Sequence, residues 1–180
     1  MLGPSAGGTA ARVDLVRNIA TGNTSTGFFF ATPDGVTVSH RLLRNVASSN
    51  GNFVDGTGNG VVLGTSGVLV QNNTFAANVI GMLINESDSR VFGNTVAGNL
   101  RSGITFNPDA GPGNRVNRNN IYGNVLAGCE IDNQSRERVD ARNNYWGTPT
   151  GPVPPAQFAC NVPGETIVQP IADQPFPIRP

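Results

Sequence analysis

The sequence predicts an all-β, single-domain chain coiled as a solenoid, and three observations carry that expectation. The first is an internal repeat. LVRNIATGN, LLRNVASSN, VQNNTFAAN, VFGNTVAGN and VNRNNIYGN align so that Asn stands three residues after an apolar position and a second Asn five further on. The second is punctuation: 22 Asn, 23 Gly and 13 Pro among 180 residues suit turns and extended chain and are poor for helices. The third is the lack of any stretch with sustained helical periodicity, which disfavours a leucine-rich or helical solenoid.

Taken in order, the first Asn column is Asn18, Asn45, Asn73, Asn94 and Asn119, and the second is Asn23, Asn50, Asn78, Asn99 and Asn124. A sixth unit, ARNNYWG, adds Asn144 to the first column and then stops. First-column intervals of 27, 28, 21, 25 and 25 residues leave room for two or three short strands per unit. Most units continue with a glycine and an apolar strand: Gly27-FFF, Gly60-VVL, Gly81-MLI, Gly103-ITF and Gly128-CEI. The second unit departs by inserting GNFVDGTGN (51–59) before Gly60. Short strands recurring once per unit stack as parallel sheets, each coil rising by one strand spacing of about 4.8 Å. An Asn recurring at one bend can stack on its neighbours with its amide bonding along the axis, and Asn tolerates the left-handed conformation of a sharp turn. Asn18 through Asn144 are therefore expected to form a structural ladder. Two apolar columns should point inward: Ala20, Ala47, Phe75, Val96, Ile121, Trp146, and Phe28, Val61, Met82, Ile104, Cys129. About six coils result, over residues 1–147, with 148–180 as a C-terminal cap packed on the last coil.

These units resemble the right-handed parallel β-helix repeat of the pectin-lyase-like superfamily. The stretch NNYWGTPTGP (143–152) is similar to the NN-aromatic-WG…GP motif that closes many such helices, and CNVPGETIVQPIADQPFPI (160–178) to their cap strand. The resemblance implies a right-handed, single-stranded parallel β-helix. In that group a Cys in the last full coil commonly accompanies one in the cap, so Cys129 and Cys160 are expected to form a disulfide. The resemblance specifies a fold and no single function, because the fold hosts lyases, hydrolases, epimerases, tailspikes and adhesins.

Composition narrows the function classes. Twelve basic residues, all Arg, balance twelve acidic ones, which excludes the overall basic footprint of a nucleic-acid binder or a polybasic membrane-surface protein. No apolar run approaches the roughly 18 residues of a membrane span. Met1–Ala11 lacks the basic and apolar segments of a signal peptide. No cap is evident at the N-terminal end, so upstream coils of a longer chain are expected. His40 is the only histidine, which leaves no His-based metal site or Ser-His-Asp triad; it is expected to be a structural or solvent-exposed surface residue. With only two Met, a role beside copper enzymes is disfavoured too.

The eight Asp include no Asp-Asp pair of the kind hydrolases on this fold use. The best ligand-binding candidates are Glu86, Asp88, Asp109 and Asp132 with Arg90, since the four carboxylates follow the post-glycine strand and should line one bend. Such a row could hold a weak Ca²⁺ or polar sugars; otherwise it is a solvated turn, and no cofactor is expected. Three post-glycine strands are apolar on both faces, so Phe29, Val62 and Leu83 should form an outward stripe, continued by Thr105 and Glu130. An insertion such as 51–59, upstream chain or a second copy would cover it. The function that fits is a non-catalytic exported scaffold or binding module, for a polysaccharide or a cell surface, located outside the cell or in the periplasm. The alternative is a polysaccharide lyase, hydrolase or epimerase whose carboxylates converge only in the fold.

Overall fold

The computed structural model of the chain describes residues 12–32, 39–124, 129–152, 157–161 and 164–177. Its first coil is β1 (Asp14–Val16), β2 (Ile19–Thr21) and β3 (Thr26–Ala31), and its second β4 (Arg41–Leu43), β5 (Val46–Ser48) and β6 (Asn59–Gly64). The third is β7 (Leu69–Gln71), β8 (Thr74–Ala76) and β9 (Ile80–Ile84). The fourth is β10 (Arg90–Phe92), β11 (Thr95–Ala97) and β12 (Ser102–Phe106). The fifth is β13 (Arg115–Asn117), β14 (Asn120–Tyr122) and β15 (Cys129–Asn133). A sixth, shorter coil has β16 (Val139–Asp140), a single bridge from Tyr145 to Asn120, and β17 (Gln157–Asn161); β18 (Thr166–Ile167) follows. Every third strand pairs in parallel up to β16, and then β17 pairs with β15 and β18 with β16, giving sheet A from β1 to β18, sheet B from β2 to β14 and sheet C from β3 to β17. This is the all-β, parallel β-helix of about six coils that the repeat predicts.

The interior follows from the two-residue alternation of strands. Leu42, Val70, Val91 and Val116 stack on sheet A; Ala47, Phe75, Val96, Ile121 and Trp146 stack on sheet B. On sheet C the column is Phe28, Val61, Met82, Ile104 and then Ile131, not Cys129. The expected register at the fifth coil is thus displaced by two residues. Trp146 is fully buried with its ring edge-on to Phe158, 5.3 Å between centroids. His40 is a buried structural residue, not a surface one: its Nδ1 accepts the Val13 N–H at 3.0 Å and its ring lies against Phe30.

Both Asn columns are ladders. At each rung the main-chain N–H and the side-chain Nδ2 donate to Oδ1 of the Asn one coil on, as in Asn45 to Asn73 at 2.8 and 3.0 Å and Asn78 to Asn99 at 2.9 and 3.1 Å. The Nδ2 also donates to carbonyls, Leu43 and Leu15 in the case of Asn45. One buried amide therefore satisfies several main-chain groups that a tight bend would otherwise strand. The left-handed conformation falls not on the ladder residue but on its predecessor. Arg17, Arg44, Asn72, Gly93, Arg118 and Asn143 precede the first column, and Gly22, Ser49, Ala77, Gly98 and Gly123 the second, all at positive φ.

Strands β17 and β18 extend sheets C and A past the fifth and sixth coils. The chain beyond them bonds to the last bend, Asn143 N–H to Pro170 O, Ala172 N–H to Asn144 O and Asn120 with Phe176. Cys129 and Cys160 form the expected disulfide, with Cα atoms 5.6 Å apart and a sequence separation of 31. Replacing both by Ser should lower stability by about 3–4 kcal/mol on the chain-entropy account of a loop this long. Urea unfolding of the oxidised and substituted chains measures it, and coincident midpoints would contradict it.

Candidate functional site

The acidic residues do not converge. Glu86 and Asp88 are exposed in the turn between β9 and β10, where Ser66 Oγ donates to Glu86 and Ser87 Oγ to Asp88. Asp109 is exposed in the next coil's turn. Asp132 does not share that bend: it lies within β15, in register with Thr105, and accepts from Gln134 Nε2 at 2.7 Å. Among the described residues, no three His, Cys, Asp or Glu side chains gather into a group able to hold a metal ion.

The outward column of sheet C runs Phe29, Val62, Leu83, Thr105, Asp132. The alignment of the first three is as expected, but only Phe29 is open, at 66% exposure; Val62 is buried and Leu83 half-buried. The 51–59 insertion closes on itself through Asn52 and Thr57 and presents Phe53 and Val54 to solvent. Glu130 is not the continuation of this column, because Asp132 takes that place. Below Leu83 the face dips into a groove of about 230 Å³ lined by Ile80, Arg101, Asn107, Asp132 and Gln134 among others. Several of its polar groups are hydrogen-bonded, Ser102 with Thr105, Gln134 to Asp132 and Asn107 to Asn85 beside the groove.

The charge balance is uneven in space. Within two residues of the sheet A strands stand nine arginines and only five carboxylates. The outer column reads Asp14, Arg41, Leu69, Arg90, Arg115, Asp140. Its two ends are neutralised. Arg41 and Arg12 pair with Asp14, and the Arg41 guanidinium foremost holds that carboxyl below its ordinary value. Arg142 pairs with Asp140 at 2.9 Å and, as the leading cause, holds it down at about 2. Between them Arg90 and Arg115 are exposed, one rung apart, with no ion-pair partner among the described residues. Arg17, Arg44 and Arg118 are likewise unpaired at the bend into sheet B. A groove of about 490 Å³ opens beside Arg115, lined also by Asn114, Arg138, Asp140, Arg142 and Gln169 among others. Such a row of guanidinium groups suits bidentate contact with carboxylates or sulfates.

Three parallel sheets, stacked side-chain columns and short asparagine-bonded bends define a parallel β-helix protein. The family model described as "Right handed beta helix region" matches residues 8–145, and the chain belongs to that family. No curated protein and no solved structure gives a match. The disulfide points to an oxidising, non-cytoplasmic compartment.

Proposed function

We propose that the chain is an exported, non-catalytic binding module for an acidic polysaccharide, held along the outer face of sheet A. The observation that carries this reading is the segregation of arginines, with Arg90 and Arg115 unpaired on adjacent rungs. Strand stacking sets such groups about 4.8 Å apart, so a polymer carrying repeated carboxylates meets a repeated row of donors. The scattered placement of Glu86, Asp88, Asp109 and Asp132 supports binding over the alternative of a lyase, hydrolase or epimerase.

Titration of the full chain with polygalacturonate, against neutral dextran, tests the reading. Replacing Arg90 and Arg115 together by Ala should weaken binding about tenfold or more, at roughly 1 kcal/mol for each exposed charged contact. Added salt should weaken binding of the parent chain as well. Affinity unchanged in the double variant, or matched by dextran, overturns the proposal. Release of unsaturated uronide products would favour the lyase in its place.

A further inference from the structure

We propose that Glu130 is the terminal rung of the second asparagine ladder, and that closure of the fifth coil depends on whether this side chain carries a proton. In the coils above, each Asn of the second column finds its acceptor in the Asn of the following coil, ending with Asn99 to Asn124 at 2.9 and 2.8 Å. The sixth unit has no second-column Asn, so Asn124 has no such acceptor. Glu130 replaces it: its Oε2 accepts from Asn124 Nδ2 at 2.5 Å and from Asn124 N–H at 3.3 Å.

The same missing residue makes the space. Pairing of Ile104 with Ile131 sets Glu130 opposite Gly103, in a column that otherwise reads Gly27, Gly60, Gly81, Gly103. A Cβ at any of those glycines would come within 2.7–2.9 Å of the ladder Nδ2 of the next coil. At Glu130 no Asn lies on that side, so a side chain fits and turns back to Asn124. It does so almost fully buried. Glycine is required above for the reason that a long acceptor is possible here.

Among the described residues, the groups around the carboxyl are uncharged. Sheet C contributes Gly103 and, opposite on β17, Phe158; the bend contributes Gly123 and Asn124; Cys129 beside it is in the disulfide. Burial pushes the carboxyl from 4.5 up to about 7, against the opposing bonds from Asn124 and the Gly123 N–H. Between these values the folded chain binds a proton that the unfolded chain has released, so its stability falls as pH rises through that window. The bend from β14 into β15 is tightest in acid and loosens near neutrality.

Replacing Glu130 by Gln keeps an acceptor for Asn124 and removes the titration. Hydrogen exchange of the β15 amides in the oxidised chain, corrected for intrinsic rates, should show opening that rises about a hundredfold from pH 4.5 to above pH 7. The Gln variant should lack that rise. Parallel pH profiles for the two chains overturn the proposal. If the variant does not fold, the carbon-13 shift of the Glu130 carboxyl in the parent chain decides: a midpoint well above the ordinary carboxylate range upholds it, and one within that range overturns it.

Discussion

Asn94→Ala should destabilise the chain by about 3–5 kcal/mol, among the largest effects of any single substitution, because it removes five hydrogen bonds at one buried residue. Asn94 Nδ2 donates to Val70 O, Phe92 O and Asn119 Oδ1, and its Oδ1 accepts from both nitrogens of Asn73. Alanine leaves the buried Asn73 N–H without its acceptor and takes the amide donor from the Val70 carbonyl, while the Phe92 carbonyl keeps the Asn72 N–H at 3.4 Å. The midpoint of urea unfolding measures the loss, and polygalacturonate affinity of the folded fraction should be unchanged, since Asn94 is wholly buried. A weakened affinity at undiminished stability would place the ladder in the binding site.

Gly81→Ala comes next, at about 2–4 kcal/mol, through overpacking and not through lost bonds. The new methyl would stand 2.5 Å from Gly103 O and 2.7 Å from both Asn99 Nδ2 and a Val96 methyl. Neither a sheet carbonyl nor a ladder amide can move aside without shifting its coil. Gly98→Ala is the control. Gly98 has positive φ, but none of the described residues lies within 4 Å of its added Cβ, and Ala77 already holds the same bend one coil earlier. Its cost should stay near 1 kcal/mol. Equal unfolding midpoints for the two variants would contradict the close-packed glycine column.

The fold was legible because its determinants repeat. One Asn per bend, one apolar residue per inward column and one glycine per strand start are visible without coordinates, and the disulfide followed from the resemblance they established. The site was less legible because position on the outer face is a matter of register. Arg41, Arg90 and Arg115 each stand four residues before a ladder Asn, and Arg17, Arg44 and Arg118 one before. That offset placed them on sheet A or its bend from the start, yet the neutral total concealed it. Asp132 and Glu130 were misplaced for a related reason. Gly128 imitates the glycine column two residues early, so Asp132 was assigned to a bend and Glu130 to the outer face. The missing second-column Asn after Asn144 was the signal that some other acceptor had to close the ladder.

Side-chain amide hydrogen exchange in uniformly labelled protein tests the central claim most directly, that two columns of interior asparagines hold the coils together. The Nδ2 protons of Asn45, Asn73, Asn94 and Asn119, and of Asn50, Asn78 and Asn99, all donate within the ladders. They should exchange orders of magnitude more slowly than those of the exposed Asn52, at rates approaching global unfolding. Exchange of the ladder amides as fast as that of Asn52 would mean that water reaches the bends, and the account would fail.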